Sequence, residues 1–76
     1  MDIKLSKQAE KFLRKQDRPT RMRLIKAIYH LPDGDVKKLK DRDGYRLRVG
    51  DFRILYDVYG NILDVIKIDN RGQVYK

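Results

Sequence analysis

The strongest structural signal in the sequence is a two-residue alternation of apolar and polar side chains on both sides of the turn dipeptide Gly50-Asp51. The apolar members of this alternation are Tyr45, Leu47, Val49, Phe52, Ile54 and Tyr56. A period of two interrupted by a tight turn predicts a β-hairpin. If the apolar set is buried, Arg46, Arg48 and Arg53 all lie on the opposite face of the hairpin.

Two helices are predicted ahead of this hairpin. Ser6 is a favourable N-cap for a helix over residues 7 to 16. A second helix carries Pro19 in its first turn and extends to about Leu31, where a proline, an aspartate and a glycine end it. Because so few residues separate the two helices, they are expected to form a hairpin that presents one apolar face to a sheet.

The remaining segments complete the predicted sheet. Residues 2 to 5 alternate like a short strand, residues 35 to 44 suggest a basic connector, and residues 62 to 68 are apolar at both parities, as an inner strand is. The predicted fold class is α+β, in the order β-α-α-β-β-β, with a helical hairpin packed on one face of an antiparallel sheet. Its length predicts that the chain forms one domain over residues 1–76.

The charge of the chain is large and uneven. Nineteen Lys and Arg against 11 Asp and Glu give a net charge of +8, and seven of the basic residues lie between positions 36 and 53 with only three acids. Such a field predicts a polyanionic ligand, an acidic protein partner, or both. The basic residues of the connector, which are candidates for contacts with RNA, are Lys37, Lys38, Lys40 and Arg42.

Several classes of protein are excluded by what the sequence lacks. Without cysteine there is no disulfide framework and no thiolate zinc site, which suits a reducing cytoplasm. No apolar run approaches the length of a membrane span, and no signal-peptide core follows Met1. His30, the single histidine, falls at the end of the second helix, where a solvated or helix-capping role is expected. We therefore expect a cytoplasmic protein without membrane association, metal site or cofactor.

The arginines of the hairpin predict chemistry on phosphates. Guanidinium groups bind phosphate oxygens through paired hydrogen bonds, and several of them around one phosphate stabilise the added charge of a pentacovalent transition state. That is sufficient for a ribonuclease that needs no metal. The ribose 2′-hydroxyl attacks its own 3′-phosphate, and the enzyme has to orient the groups and stabilise charge.

The string YRLRVGDFRILY from Tyr45 to Tyr56, followed by an apolar strand and then NRGQVY from Asn70 to Tyr75, resembles the signature of RelE toxins of the RelE/ParE superfamily. The resemblance extends over essentially the whole chain. RelE proteins are the toxic halves of type II toxin–antitoxin modules and cleave mRNA in the ribosomal A site. The resemblance thus implies a RelE-like fold, an mRNA interferase activity that inhibits translation, and three partners: a cognate acidic antitoxin, the ribosome and A-site mRNA.

Carried over by position, the resemblance assigns catalytic roles to Arg46, Arg48, Arg53, Arg71 and Tyr75, the last as an aromatic that stacks on a base. The best-studied branch has lysines at the first two positions, whereas arginine does not readily release a proton, with an intrinsic pKa above ~12. Another branch has a histidine where this chain has Asn70. The resemblance therefore implies the charge-stabilising part of the site and leaves the general base and acid unassigned.

Two other functions are compatible with the sequence. The ParE branch of the same superfamily poisons DNA gyrase and has no nuclease site, but it has no need of four arginines and a terminal aromatic on one face. A plain nucleic-acid-binding module would bind with steep salt dependence and would not cleave RNA. The arginine set favours the RelE-type nuclease over the gyrase poison, and an RNA cleavage assay is what separates the nuclease from a plain binding module.

Overall fold

The computed structural model describes residues 1–70, which form two helices and one five-stranded sheet. The elements are β1 (Asp2–Leu5), α1 (Lys7–Arg14), α2 (Arg18–Tyr29), β2 (Asp35–Lys38), β3 (Tyr45–Val49), β4 (Phe52–Tyr59) and β5 (Ile62–Asn70). The strands lie in the order β1-β5-β4-β3-β2. β1 is parallel to β5, and the other neighbours are antiparallel.

The α+β class and the helical hairpin on one face of the sheet are confirmed, but the sheet has one strand more than predicted. β2 occupies the first part of the segment predicted to be a connector, and it pairs with β3 at the edge of the sheet. Its sequence, DVKK, has a single apolar residue, Val36, which packs against the core. Local propensity is weak there, so pairing with β3 decides the conformation.

The sheet is mixed where an entirely antiparallel one was predicted. β1 runs parallel to β5, with Ile3 opposite Leu63. Alternation within a strand indicates which face is buried but contains no information on the direction of a neighbour. That direction depends on the path of the chain. The two helices connect β1 at one edge of the sheet to β2 at the other edge, and the chain then reverses direction three times between β2 and β5.

Side-chain caps fix the ends of the two helices. Ser6 accepts a hydrogen bond from the Ala9 backbone N–H at 3.1 Å, and its hydroxyl donates to the Ile66 carbonyl at 2.7 Å, which joins α1 to β5. Asp17 caps α2 by accepting a hydrogen bond from the Thr20 backbone N–H at 3.4 Å. Hydrogen bonding to Thr20, first through its side chain and then through its backbone, lowers the pKa of the Asp17 carboxyl. His30 follows α2 with Nδ1 2.7 Å from the Lys26 carbonyl oxygen, as expected of a helix-capping imidazole.

The core lies between the helices and one face of the sheet. Its buried residues are Ala9, Leu13, Leu24, Ile28, Leu47, Ile54, Tyr56, Leu63, Val65 and Ile68. All the sheet residues in this set belong to β3, β4 and β5, the three inner strands. The opposite face of these strands is therefore available to carry the polar residues of a site.

A β-bulge in β5 determines which residues reach that opposite face. Leu55 pairs with Lys67, whereas the next residue of β4, Tyr56, pairs with Val65, so Ile66 is an extra residue. Because the bulge shifts the alternation by one, buried positions are odd-numbered before it and even-numbered after it. This explains why β5 is apolar at both parities, and it places Asp69 directly opposite Arg53.

Candidate functional site

Three arginines meet on the face of the sheet that is turned away from the helices. Arg48 of β3 lies directly opposite Arg53 of β4, and Arg46 lies opposite Leu55. We call this surface the arginine face; the register assigns to it Asp35, Lys37, Arg46, Arg48, Arg53, Leu55, Lys67 and Asp69. Like charges directly opposite each other are destabilising by several tenths of a kcal/mol to about 1 kcal/mol, so the Arg48–Arg53 pair favours an anion between them.

Two of these arginines form ion pairs with carboxylates of the neighbouring strands. Arg53 Nη2 donates to Asp69 Oδ2 at 3.0 Å, and Arg46 Nη2 donates to Asp35 Oδ1 at 3.4 Å. The Arg46 and Arg53 side chains are only 18% and 29% exposed, so both guanidinium groups are held close to the sheet. Arg48 is exposed and has no ion-pair partner within residues 1–70.

Some polar atoms of these pairs are buried without a partner among the described residues. They are Nε of Arg46, Nε of Arg53 and Oδ1 of Asp69. An unsatisfied buried polar atom costs about 1–3 kcal/mol. Within residues 1–70 the two ion pairs are therefore incomplete, and both guanidinium groups have donors that an oxyanion is suited to use.

Leu55 gives the arginine face an apolar centre. It is only 4% exposed although it lies outside the core beneath the helices, and the register places Arg46 on one side of it and Lys67 on the other. Low polarity beside a guanidinium strengthens its attraction for an anion, because water screens the charges less.

Acidic residues occupy the other end of the same face. Asp57 of β4 lies opposite Asp64 of β5, beyond the bulge. Burial raises the pKa of the nearby Tyr59 hydroxyl, and the negative charges of Asp57, Asp64 and Asp43 raise it further. The face is thus polarised along its strands, with cations near the β3–β4 turn and anions near the β4–β5 turn, so a polyanion is directed to the arginine end.

The structure separates the predicted RNA contacts, because the loop between β2 and β3 lies at the acidic end of the face, beside the β4–β5 turn. Lys37 pairs in register with Arg46 and so joins the arginine face, while Lys38 lies opposite Tyr45 on the other side of the sheet. Lys40 and Arg42 are exposed in the loop between β2 and β3. Arg71 and Tyr75, the other two residues of the predicted catalytic set, lie outside the described residues.

Sequence reasoning missed the two carboxylates, Asp35 and Asp69. Regular pairing from the Gly60-Asn61 turn places Asp69 opposite Phe52, on the helix side, because the count omits the bulge. A signal was present, since the charged residues of β5 change from an even position, Asp64, to odd positions, Lys67 and Asp69. A change of parity within one strand indicates a bulge.

An apolar groove lies on the other side of the sheet, beyond the end of α2. It has a volume of about 360 Å³ and is lined by Met1, Leu31, Pro32, Val36, Tyr45, Tyr56, Val58 and Leu63. The rings of Tyr45 and Tyr56 stack with their centroids 5.4 Å apart. Val58 is 39% exposed, so the groove is open to a partner.

Neither metal ligands nor membrane spans are found in the part of the chain that the structure describes. Within residues 1–70, no group of three or more His, Asp or Glu side chains is arranged to hold a metal ion. Neither α1 nor α2 has the length and apolar character needed to cross a membrane.

Comparison with known proteins gives the family. The model of the family described as "ParE toxin of type II toxin-antitoxin system, parDE" matches residues 3–75. The chain belongs to the ParE toxin family. It is therefore a toxin of the type II toxin–antitoxin class, and the predicted membership of the RelE/ParE superfamily is confirmed.

A solved structure agrees with this assignment. A chain of the RelB–RelE antitoxin–toxin complex from Methanococcus jannaschii superposes with a TM-score of 0.76 and 25% sequence identity, over 95% of this chain and 94% of that chain. The search of curated proteins found no match. This ParE-family toxin therefore has the RelE-like fold that the sequence predicts.

Proposed function

We propose that this toxin is a metal-independent endoribonuclease that cleaves mRNA on the ribosome and so inhibits translation. The observation that supports the proposal best is the arginine face itself, where three guanidinium groups surround one region of an inner strand pair. Two of them, Arg46 and Arg53, are held against the sheet and have an Nε donor that no described residue satisfies. This is the arrangement that phosphate binding requires.

The proposed reaction is an internal transesterification of RNA. The ribose 2′-oxygen forms a bond to the adjacent phosphorus as the bond from phosphorus to the 5′-oxygen breaks. The 2′-hydroxyl loses its proton and the departing 5′-oxygen gains one, so the products are a 2′,3′-cyclic phosphate and a 5′-hydroxyl. Arg46, Arg48 and Arg53 stabilise the charge that develops on the phosphoryl oxygens. Arg71 is assigned to the same phosphate and Tyr75 to base stacking, on the resemblance alone.

We infer that cleavage depends on the ribosome because, among the described residues of the face, the two carboxylates Asp35 and Asp69 are held in ion pairs with arginines. Arginine does not act as a proton acceptor near neutral pH, so charge stabilisation alone gives weak activity on free RNA. We infer that the ribosome orients the mRNA and supplies part of the proton transfer. Primer extension on translating ribosomes tests the proposal: we expect cuts within the A-site codon and much slower cleavage of the same mRNA without ribosomes.

The ParE family match favours a second candidate function, the poisoning of DNA gyrase. A gyrase poison inhibits supercoiling and leaves mRNA intact, whereas a ribonuclease does the reverse. Both assays are therefore run on one preparation, with the RNA products mapped and plasmid supercoiling by gyrase measured. Inhibition of gyrase without RNA cleavage would establish the second candidate. RNA binding with neither activity would establish a non-catalytic nucleic-acid-binding module.

We expect Arg46→Lys to retain most of the RNA cleavage of the wild type. Lysine keeps the positive charge beside the Asp35 carboxylate, and it is the residue of the best-studied RelE branch at this position. Initial rates on programmed ribosomes, with Arg46→Ala as the inactive comparison, measure the effect. A folded but inactive Arg46→Lys protein would show that the position supplies two-pronged guanidinium geometry, which lysine lacks.

We propose that the partner of this toxin is an acidic antitoxin whose disordered segment folds on binding. The similar chain from Methanococcus jannaschii comes from an antitoxin–toxin complex. A net charge of +8 attracts an acidic segment. The apolar groove can bind large apolar side chains of that segment, and Lys38, which lies opposite Tyr45 of the groove, can pair with its acidic residues. An antitoxin that binds both sides of the sheet would cover the groove on one side and neutralise the arginine face on the other.

The two surfaces are expected to control different rate constants. Association with the antitoxin should slow as salt rises from ~50 to ~500 mM, while dissociation changes less, because charges steer encounter and apolar contacts hold the complex. Val58→Asn, which makes the groove polar without changing the net charge, should speed dissociation and leave the salt dependence of association unchanged. Stopped-flow measurement of both rates is the test. A salt-independent association rate would contradict this mechanism.

A further inference from the structure

Asp69 already occupies an anion-binding position on the arginine face. Its Oδ2 accepts from Arg53 Nη2 at 3.0 Å, and the two residues are direct partners in the β4–β5 ladder. Their side chains are 29% and 22% exposed, so the pair is partly buried but still accessible to a ligand from solvent. In the free protein, therefore, the guanidinium proposed to bind phosphate is bound to a carboxylate of its own chain.

Within residues 1–70 the pair makes one of the two hydrogen bonds that a guanidinium and a carboxylate can share. Arg53 Nε and Asp69 Oδ1 are both buried, and neither has a hydrogen-bond partner among the described residues. A guanidinium and a carboxylate that meet through two parallel hydrogen bonds would satisfy both atoms. With a single hydrogen bond the pair holds less than its full strength, so an oxyanion that engages Arg53 and also Arg48, which lies directly opposite, can replace Asp69.

We propose that Asp69 is an internal competitor that a phosphate group of RNA displaces from Arg53, so that Asp69 sets how tightly this face binds RNA. The inference rests on the proposed function, because it takes the phosphate of RNA as the ligand. Asp35 makes the same kind of contact with Arg46, but at 3.4 Å, and it is the weaker competitor. Without Asp69, Arg53 is free to bind phosphate and no carboxylate repels the incoming anion.

Asp69→Asn tests this directly, because asparagine has the same shape and no charge. The probe is a short 2′-O-methyl RNA, which cannot undergo attack by a 2′-hydroxyl, and its binding is measured by fluorescence anisotropy at fixed salt. We expect about fivefold tighter binding than to the wild type, the factor that corresponds to losing a competing ion pair of about 1 kcal/mol. Adding Arg53→Gln to the variant should abolish the gain.

Asp64→Asn is the matched control. Asp64 lies on the same strand and the same face, and its change to asparagine alters the net charge equally. It is about 15 Å from Asp69 along β5, beyond the screening length of about 8 Å at physiological ionic strength. If both variants gained the same affinity for the RNA probe, the change in net charge would explain the gain and the proposal would be overturned. Weaker RNA binding by Asp69→Asn would also overturn it, because Asp69 would then position Arg53 for the ligand.

A second readout separates this inference from the proposed function. If neither the wild type nor any variant binds the RNA probe, the RNA-cleaving function fails, and inorganic pyrophosphate then tests the competition by itself. We expect pyrophosphate to raise the melting temperature of Asp69→Asn more than that of the wild type or Asp64→Asn, since a ligand that binds only the folded state stabilises it. Equal rises in all three proteins would overturn the inference.

Discussion

Replacing Arg53 with alanine is expected to reduce ribosome-dependent RNA cleavage by on the order of 10²-fold or more. One preorganised donor to the charge of a transition state contributes about 3 kcal/mol to catalysis, which corresponds to that factor. Arg53 qualifies as such a donor because β4 is the central strand and its side chain is only 29% exposed. Single-turnover cleavage on programmed ribosomes is the measurement, and Arg71→Ala is expected to lose as much.

Lys67→Ala is the matched control for Arg53→Ala. Lys67 also lies on the arginine face, opposite Leu55, but it is exposed and belongs to β5. Its removal lowers the net charge by the same amount as Arg53→Ala. We expect no more than about a threefold loss of cleavage, because an exposed charge at the edge of a binding surface mainly affects the association rate. Circular dichroism confirms that each variant is folded. Wild-type rates in both Arg53→Ala and Arg71→Ala would refute the assignment of the site.

Ile54→Ala is expected to remove a large part of the stability of the fold. Ile54 is fully buried on the central strand, with Leu47 opposite it on one side and Ile68 on the other. Truncating a buried isoleucine to alanine costs about 2–5 kcal/mol. A domain of this length has a total stability of about 4–11 kcal/mol. Urea denaturation followed by circular dichroism should therefore show a much lower midpoint, or no folded baseline.

The same substitution at Ile66 provides the comparison. Ile66 is the extra residue of the β-bulge and is 43% exposed, so its truncation leaves no buried cavity. We expect a loss below about 1 kcal/mol, as for most exposed positions. Equal losses at Ile54 and Ile66 would contradict the division of β4 and β5 into a buried and an open face.

The sequence predicted the β3–β4 hairpin and the shared face of its arginines because β-strand alternation is a local property. Once Leu47 and Ile54 are buried, Arg46, Arg48 and Arg53 have no other face available. The helix starts were predicted for the same reason, since a capping side chain such as Ser6 bonds within three residues of itself. The resemblance to the RelE/ParE superfamily, confirmed by the family match, rests on this hairpin and on the residues after β5.

Pairing between distant segments was not encoded in any local pattern. β2 exists because β3 is beside it, and the parallel direction of β1 results from the path of the chain across both helices. Alternation in a strand of four residues specifies neither its partner nor the direction of that partner. An entirely antiparallel sheet with one strand fewer is what the local patterns alone predict.

The sequence by itself determined the face on which the three arginines lie, and the tertiary structure decided which residues lie beside them. Alternation fixes the face of each arginine, but the residue opposite it depends on register, and a single extra residue at Ile66 changes the register of the rest of β5. Regular pairing would put Asp69 beside the core; the bulge puts it 3.0 Å from Arg53. One bulge thus decides which charged residues of β5 join the arginine face, Lys67 as well as Asp69, because side chains of a strand change faces with every residue.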